Sequence, residues 1–236
     1  MKKLLVFVLM ITSLLACKDA KESSNDTTEK DTSEIVKKIG SDPVTKTAHS
    51  IARAHGIDHW KDVSELKFTW NVDRGDNHFE RSWTWWTKDD IVEMSTENGS
   101  VRYLRSEVND VHEAADPEFI NDSFWLLAPF HLVWDSGITL RESKNKRAPM
   151  SGDTLSMITL TYGEVGGYTP GDAYDFYFGS DYLIKEWVFR QGNDSLPTMT
   201  TTWEDYEDVQ GLKIGKMHTD STQSFKLYFT DISVKK

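Results

Sequence analysis

Cysteine is almost absent from this chain: Cys17 is the only one among 236 residues. One thiol cannot close an internal disulfide, so no disulfide framework holds the fold and the sulfur is spare for attachment. Basic residues are the minority, 27 Lys and Arg against 38 Asp and Glu, for a formal net charge of −11. That deficit argues against nucleic acid or an anionic phosphate surface as a partner. Long apolar runs are lacking too. The most apolar stretch, Leu4 to Leu15, is broken by Thr12 and Ser13, whereas a membrane-spanning helix needs about 20 apolar residues. No Gly-Lys-Ser/Thr phosphate loop, no serine-centred nucleophile elbow and no internal repeat occurs.

What stands at the N-terminus is an export signal. Met1-Lys2-Lys3 precedes the short apolar stretch, and Ala16 puts a small residue at the cut. Residues 1–16 are expected to leave as a signal peptide. Leu14-Leu15-Ala16-Cys17 resembles the lipobox of bacterial lipoproteins, which implies that Cys17 carries the lipid and becomes the mature N-terminus. One acyl chain anchors only marginally, at about 0.8 kcal/mol per buried methylene, so several are needed for stable residence. Loss of Lys2 and Lys3 leaves 25 basic against 38 acidic residues, a net charge of −13. From Lys18 to Asp31 no large apolar residue appears, and such a stretch cannot offset its ordering entropy. Residues 17–40 are therefore expected to be a lipidated tether, and 41–236 the folded domain. The expected location is the outer membrane of the cell envelope, facing the periplasm or the cell surface.

Helical signals come first in the folded part. Asp42 can cap, Pro43 suits a first turn, Val44, Ala48, Ile51 and Ala52 recur at helical spacing, and Gly56 closes the segment. Thereafter the period changes to two. Leu66, Phe68, Trp70 and Val72 alternate with polar residues, which predicts a half-buried strand with an even-numbered apolar face. Further strands are expected at 78–86, 91–95, 101–108, 137–142, 155–162, 173–178, 183–190, 199–206, 212–218 and 225–234, with Asn98-Gly99 as a hairpin turn. One segment interrupts them. Asp116-Pro117 starts a helix that is apolar almost all round, through Phe119, Phe124, Trp125 and Leu127, and Pro129 is expected to end it. The fold class expected is mainly β with two or three helices: a single curved antiparallel sheet, a half-barrel of about ten strands, around the mid-chain apolar helix.

Nine tryptophans supply the candidate binding surface. An indole joins an apolar face to one N–H donor and so suits acyl chains or sugar faces. Trp70, Trp83, Trp85, Phe124, Trp125, Phe176 and Phe178 are the candidate ligand contacts; the plainer reading is that these rings fill the core, because ligand sites look alike in sequence. An alternative reading is a carbohydrate binder with exposed Trp83, Trp86 or Trp203 as stacking platforms. A third is a hydrolase, which would need carboxylates or histidines convergent in a cleft. Asp89-Asp90 and Glu204-Asp205 do not provide this, since adjacent strand residues point to opposite faces. His55 and His59 are four apart, but Gly56 breaks the helical face that would align them with His49, so no metal is expected. Gly163, Gly166, Gly167 and Gly171 read as a rim loop bent by Pro170. No cofactor and no catalytic residue is assigned.

Trp70 with Arg81-Ser82-Trp83, the stretch from Asp122 to Phe130, and Thr169-Pro170-Gly171-Asp172-Ala173-Tyr174 resemble a bacterial lipoprotein family. Its fold is similar to the Lol A and Lol B half-barrel of the periplasmic lipoprotein carrier and its outer-membrane receptor. The likeness spans Ala48 to Val234 and is architectural, so no functional residue of those carriers is placed here. It implies a hydrophobic concavity able to hold acyl chains. The expectation is a non-catalytic, monomeric envelope protein with two partners, the membrane through the Cys17 lipid and a hydrophobic or lipidated ligand.

Overall fold

The computed structural model describes residues 42–109, 114–165 and 169–236. The expected signal peptide, Cys17 and the tether lie outside the described residues, as do Gly166 and Gly167 of the glycine-rich loop. The described residues fall within one compact unit, 39–236. Among them no helix is long and apolar enough to cross a membrane.

Helix α1 (Pro43–Ala54) buries Ala48, Ile51 and Ala52, the face that the sequence periodicity predicts. Asp42 stands at its N-cap but makes no side-chain cap bond, so Pro43 rather than a cap starts the helix. Gly56 ends it at φ 91°, with its Cα so close to the Gly211 carbonyl that a Cβ would sit 1.9 Å from that oxygen. A short second helix, α2 (Ile57–Trp60), follows directly and was not legible in the periodicity.

Twelve strands follow among the described residues: β1 (Glu65–Arg74), β2 (Asn77–Trp86), β3 (Ile91–Thr96), β4 (Gly99–Leu104), β5 (Ile138–Arg147), β6 (Thr154–Tyr162), β7 (Ala173–Phe178), β8 (Ile184–Arg190), β9 (Met199–Thr202), β10 (Glu204–Val209), β11 (Leu212–Thr219) and β12 (Phe225–Lys235). They form two antiparallel sheets, a correction to the expected single sheet of about ten. One has seven strands in the order β10-β11-β12-β1-β2-β3-β4, the other five in the order β5-β6-β7-β8-β9. The β3–β4 turn is Glu97-Asn98, with Gly99 already paired to Thr96. The segment that the sequence predicts as strand 101–108 turns off early, since residues 105–107 form a 3-10 turn.

The division into two sheets falls at one residue. β9 pairs with β8 and β10 pairs with β11, and the two are parted by one residue, Trp203. Its N–H still donates to Lys185 O at 2.7 Å, on the five-stranded side. On the other side the Thr219 N–H donates to the Thr202 hydroxyl at 3.1 Å, a side chain standing in for a main-chain carbonyl. The ladder breaks there, and the buried Trp203 indole lies over Gly215, where a Cβ would be 2.2 Å from its ring. Bulges at Lys67/Thr69, Ser143/Lys146 and Tyr177/Phe178 add bend to both sheets.

Helix α3 (Ala115–Trp134) buries thirteen residues, consistent with its apolar circumference, and joins residues of both sheets in one hydrophobic core. Pro129 does not end it, contrary to expectation. Proline cannot donate to the carbonyl four residues back and crowds it; Leu127, at φ −121° and ψ 15°, takes up the misfit as a kink, and the helix resumes to Trp134. Tertiary burial of Pro129, Phe130 and Leu132 outweighs the lost hydrogen bond.

Candidate functional site

Where α3 faces the sheets, its apolar surface is not wholly covered. An outer cavity of about 720 Å³ lies between α3 and the β6–β7 end, walled by Ile120, Phe124, Trp134, Tyr162 and Tyr174 with Asn121, His131 and Asp135 among them. Gly163, Val165 and Thr169 of the glycine-rich loop form part of its rim, and Val165 is 93% exposed. An inner cavity of about 270 Å³ is lined by Trp70, Val72, Trp125, Trp187, Phe189 and Leu227. Asn121, Phe124, Thr169 and Tyr174 line both, so one partition divides the two spaces. Beyond the inner cavity, Arg74, Met199 and Phe225 also border an open surface cleft. The dimensions suit a small amphiphile, since ligand pockets run to roughly 300–1,000 Å³ and are mostly apolar.

His131, Asp135 and Tyr162 form a hydrogen-bonded cluster at one pole of the outer cavity. Asp135, just past the end of α3, accepts from His131 Nδ1 at 3.0 Å to each oxygen and from the Tyr162 hydroxyl at 2.6 Å. Burial alone would raise this carboxyl, but the hydrogen bonds from His131 and Tyr162 hold it below the usual carboxylate range. Burial and the adjacent carboxylate push the Tyr162 phenol well up, so it stays a donor. Arg105, also in the lining, is bound to Asp116 at 3.2 Å and to Asp90 at 3.6 Å.

The seven predicted contact residues divide. Trp70, Phe124 and Trp125 line the cavities. Trp83, Phe176 and Phe178 are packed in the core and line neither, and half-buried Trp85 packs on Trp60 and Phe119. Trp83 instead gives its N–H to Asp122 at 2.9 Å. Sequence reasoning missed His131, Asp135 and Tyr162. Their one signal was the four-residue spacing of His131 and Asp135 at the end of an apolar helix.

The other predicted features have different places. Buried His55 bonds through Nδ1 to Ile51 O at 2.8 Å, and its Nε2 lies 3.0 Å from the Tyr206 hydroxyl. Burial lowers its pKa to about 4. His59 is exposed, with its ring against Gly211. Among the described residues no cluster of His, Cys, Asp or Glu could hold a metal ion. Trp83 and Trp203 are buried, which corrects their place as exposed stacking platforms; Trp86 is half-buried, with Arg102 4.2 Å over its ring.

No protein-family model matches the chain, and no curated protein matches it. Several solved structures do. A DUF1329 family protein from Desulfovibrio piger is 12% identical, with a TM-score of 0.45 over 83% of this chain and 94% of its own. A putative outer membrane lipoprotein-sorting protein domain from Vibrio parahaemolyticus is 9% identical, with a TM-score of 0.44 over 80% and 94%. A LolA superfamily protein from Nitrosomonas europaea is 10% identical, with a TM-score of 0.47 over 80% of this chain and 94% of its own.

Proposed function

We propose that this chain is a non-catalytic cell-envelope protein, anchored through a lipid on Cys17, that holds a hydrophobic or lipidated ligand between α3 and its sheets. The observation that carries the reading is the pair of adjoining cavities, largely apolar and aromatic, with the Asp135 cluster in the wall of the outer one. Apolar burial supplies the affinity, at roughly 25 cal/mol per Å² removed from water, and the polar pole sets the ligand's orientation. Trp70, Phe124 and Trp125 are the expected contacts. The carbohydrate alternative loses support, since two of its three platforms are in the core.

The test is native mass spectrometry followed by solvent extraction, on the full chain exported from a bacterial envelope with Cys17→Ser so that it carries no acyl group of its own. An acyl lipid or lipopeptide that co-purifies and is released on unfolding supports the reading. A protein that emerges empty, and whose tryptophan fluorescence ignores an added long-chain alcohol, overturns it.

A further inference from the structure

We propose that the Asp135 pole of the outer cavity receives the cationic ammonium group of an amphiphile, whose chain lies along the aromatic walls. This rests on the cavity being a ligand site and adds the chemical class of the head group.

The charge balance of the lining points this way. Among the described lining residues, Arg105 and Asp135 carry fixed charge. Arg105 is already engaged by two carboxylates, Asp116 and Asp90. Asp135 is engaged by two donors, the Tyr162 hydroxyl and His131 Nδ1. Both hydrogen bonds orient the carboxylate, and the phenol, being uncharged, does not cancel its charge, so Asp135 is the negative group of this pole. An incoming carboxylate head would add a second charge of the same sign beside the partly buried Asp135. An ammonium group would cancel the first.

The walls fit the same group. Phe124 packs on the His131 ring and on Tyr174, each with centroids 4.8 Å apart, Tyr162 stands 6.5 Å from Phe124, and Trp134 is 5.6 Å from His131. These rings border the space that Asp135 faces, and aromatic faces attract cations through their quadrupole, most strongly where water is excluded. A carboxylate oriented by hydrogen bonds and surrounded by aromatic rings is what an alkylammonium ion needs: one charge partner, and apolar surface for its methyl groups. The overall acidity of the chain would attract any cation from a distance, but that attraction is screened by salt, whereas the Asp135 contact is local.

The experiment titrates the full chain carrying Cys17→Ser with dodecyltrimethylammonium, dodecanol and dodecanoate, each below its micelle concentration, at mildly alkaline pH and 150 mM salt. Tryptophan fluorescence is the readout. The ammonium probe is expected to bind about tenfold tighter than the alcohol, and dodecanoate more weakly than either. Asp135→Asn keeps the side-chain shape and should bring the ammonium probe to the affinity of the alcohol, with the alcohol unchanged. Trp134→Leu, which leaves the carboxylate in place, should lose part of the same preference. Equal affinity of the wild-type chain for alcohol and ammonium, or a preference that survives in both variants, overturns this inference and leaves the cavity reading standing. If no probe binds, both fall.

Discussion

Arg81 on β2 grips Asp122 on α3 with two parallel hydrogen bonds, Nε to Oδ2 at 2.9 Å and Nη2 to Oδ1 at 3.0 Å, and Asp122 is fully buried. Asn121 and Trp83 each donate to the same carboxylate at 2.9 Å, and Arg81 stacks over Trp70 at 4.4 Å. Burial pushes the Asp122 carboxyl up against the pull of these donors, while the same contact raises the Arg81 guanidinium. The two shifts differ in meaning, one disfavouring and one favouring the charged pair. The bidentate geometry with two further donors decides for an ionised pair. The contact fixes the cavity-lining helix to the wall that carries Trp70.

Arg81→Met should therefore destabilise the fold by about 3–5 kcal/mol, because it strands a buried carboxylate rather than removing a surface ion pair. Asp122→Asn in the same background should recover part of the loss. Urea unfolding of the four members of the cycle measures the coupling. A loss below about 1 kcal/mol for Arg81→Met would mean that packing alone positions α3.

Acid should weaken the fold through two buried histidines. His218 is fully buried, has its Nδ1 3.3 Å from Thr202 O, and packs on Trp203 and Trp125; burial lowers its pKa to about 3 against the pull of backbone hydrogen bonds. His55 is lowered to about 4 by the same cause. Both fold as the neutral base, whereas in the unfolded chain an imidazole takes up a proton near pH 6.5. The folded state thus binds fewer protons, and stability falls as pH drops below about 6.5. The loss continues until the folded-state values are reached. At pH 5 each group should have cost on the order of 2 kcal/mol. Hydrogen bonds to Asp73 and Glu80 raise His78 and act in the opposite sense, but on a fully exposed side chain. Denaturation midpoints between pH 7.5 and 5 should show the slope, and His218→Gln should remove about half of it. An unchanged slope would place the acid sensitivity elsewhere.

The sequence carried the local part of this fold and little of the site. Period-two alternation marked the strands because each sheet has one face on a common core, as Leu66, Phe68 and Val72 illustrate. The break at Trp203 escaped because nothing in Met199 to Val209 interrupts the β pattern; the ladder fails through a tertiary contact, the Thr202–Thr219 pairing. Pro129 misled for the converse reason, a local stop signal overridden by burial. The helix side of the site was legible in Phe124 and Trp125. Its polar pole was not, because Tyr162 comes from a strand distant in sequence and Asp135 reads as an ordinary helix-end residue.

Phe124 borders both cavities and lies within 6.0 Å of Trp187 on the inner side and 4.8 Å of His131 on the outer. Its ring is part of the partition between them, with Asn121, Thr169 and Tyr174. Phe124→Ala should merge the two spaces at a stability cost of about 3 kcal/mol, the low end for a buried phenylalanine because its site already borders open volume. In the wild-type chain, affinity for straight-chain alcohols should rise by up to about 0.8 kcal/mol per methylene until the outer cavity is full and then level off. In the variant the rise should continue to longer chains, because the added methylenes pass into the space between Trp125, Trp187 and Leu227. Comparing decanol with hexadecanol by fluorescence titration separates the outcomes. A plateau at the same chain length in both proteins would mean that the inner cavity takes no part in binding and that only the Asp135 end is the ligand site.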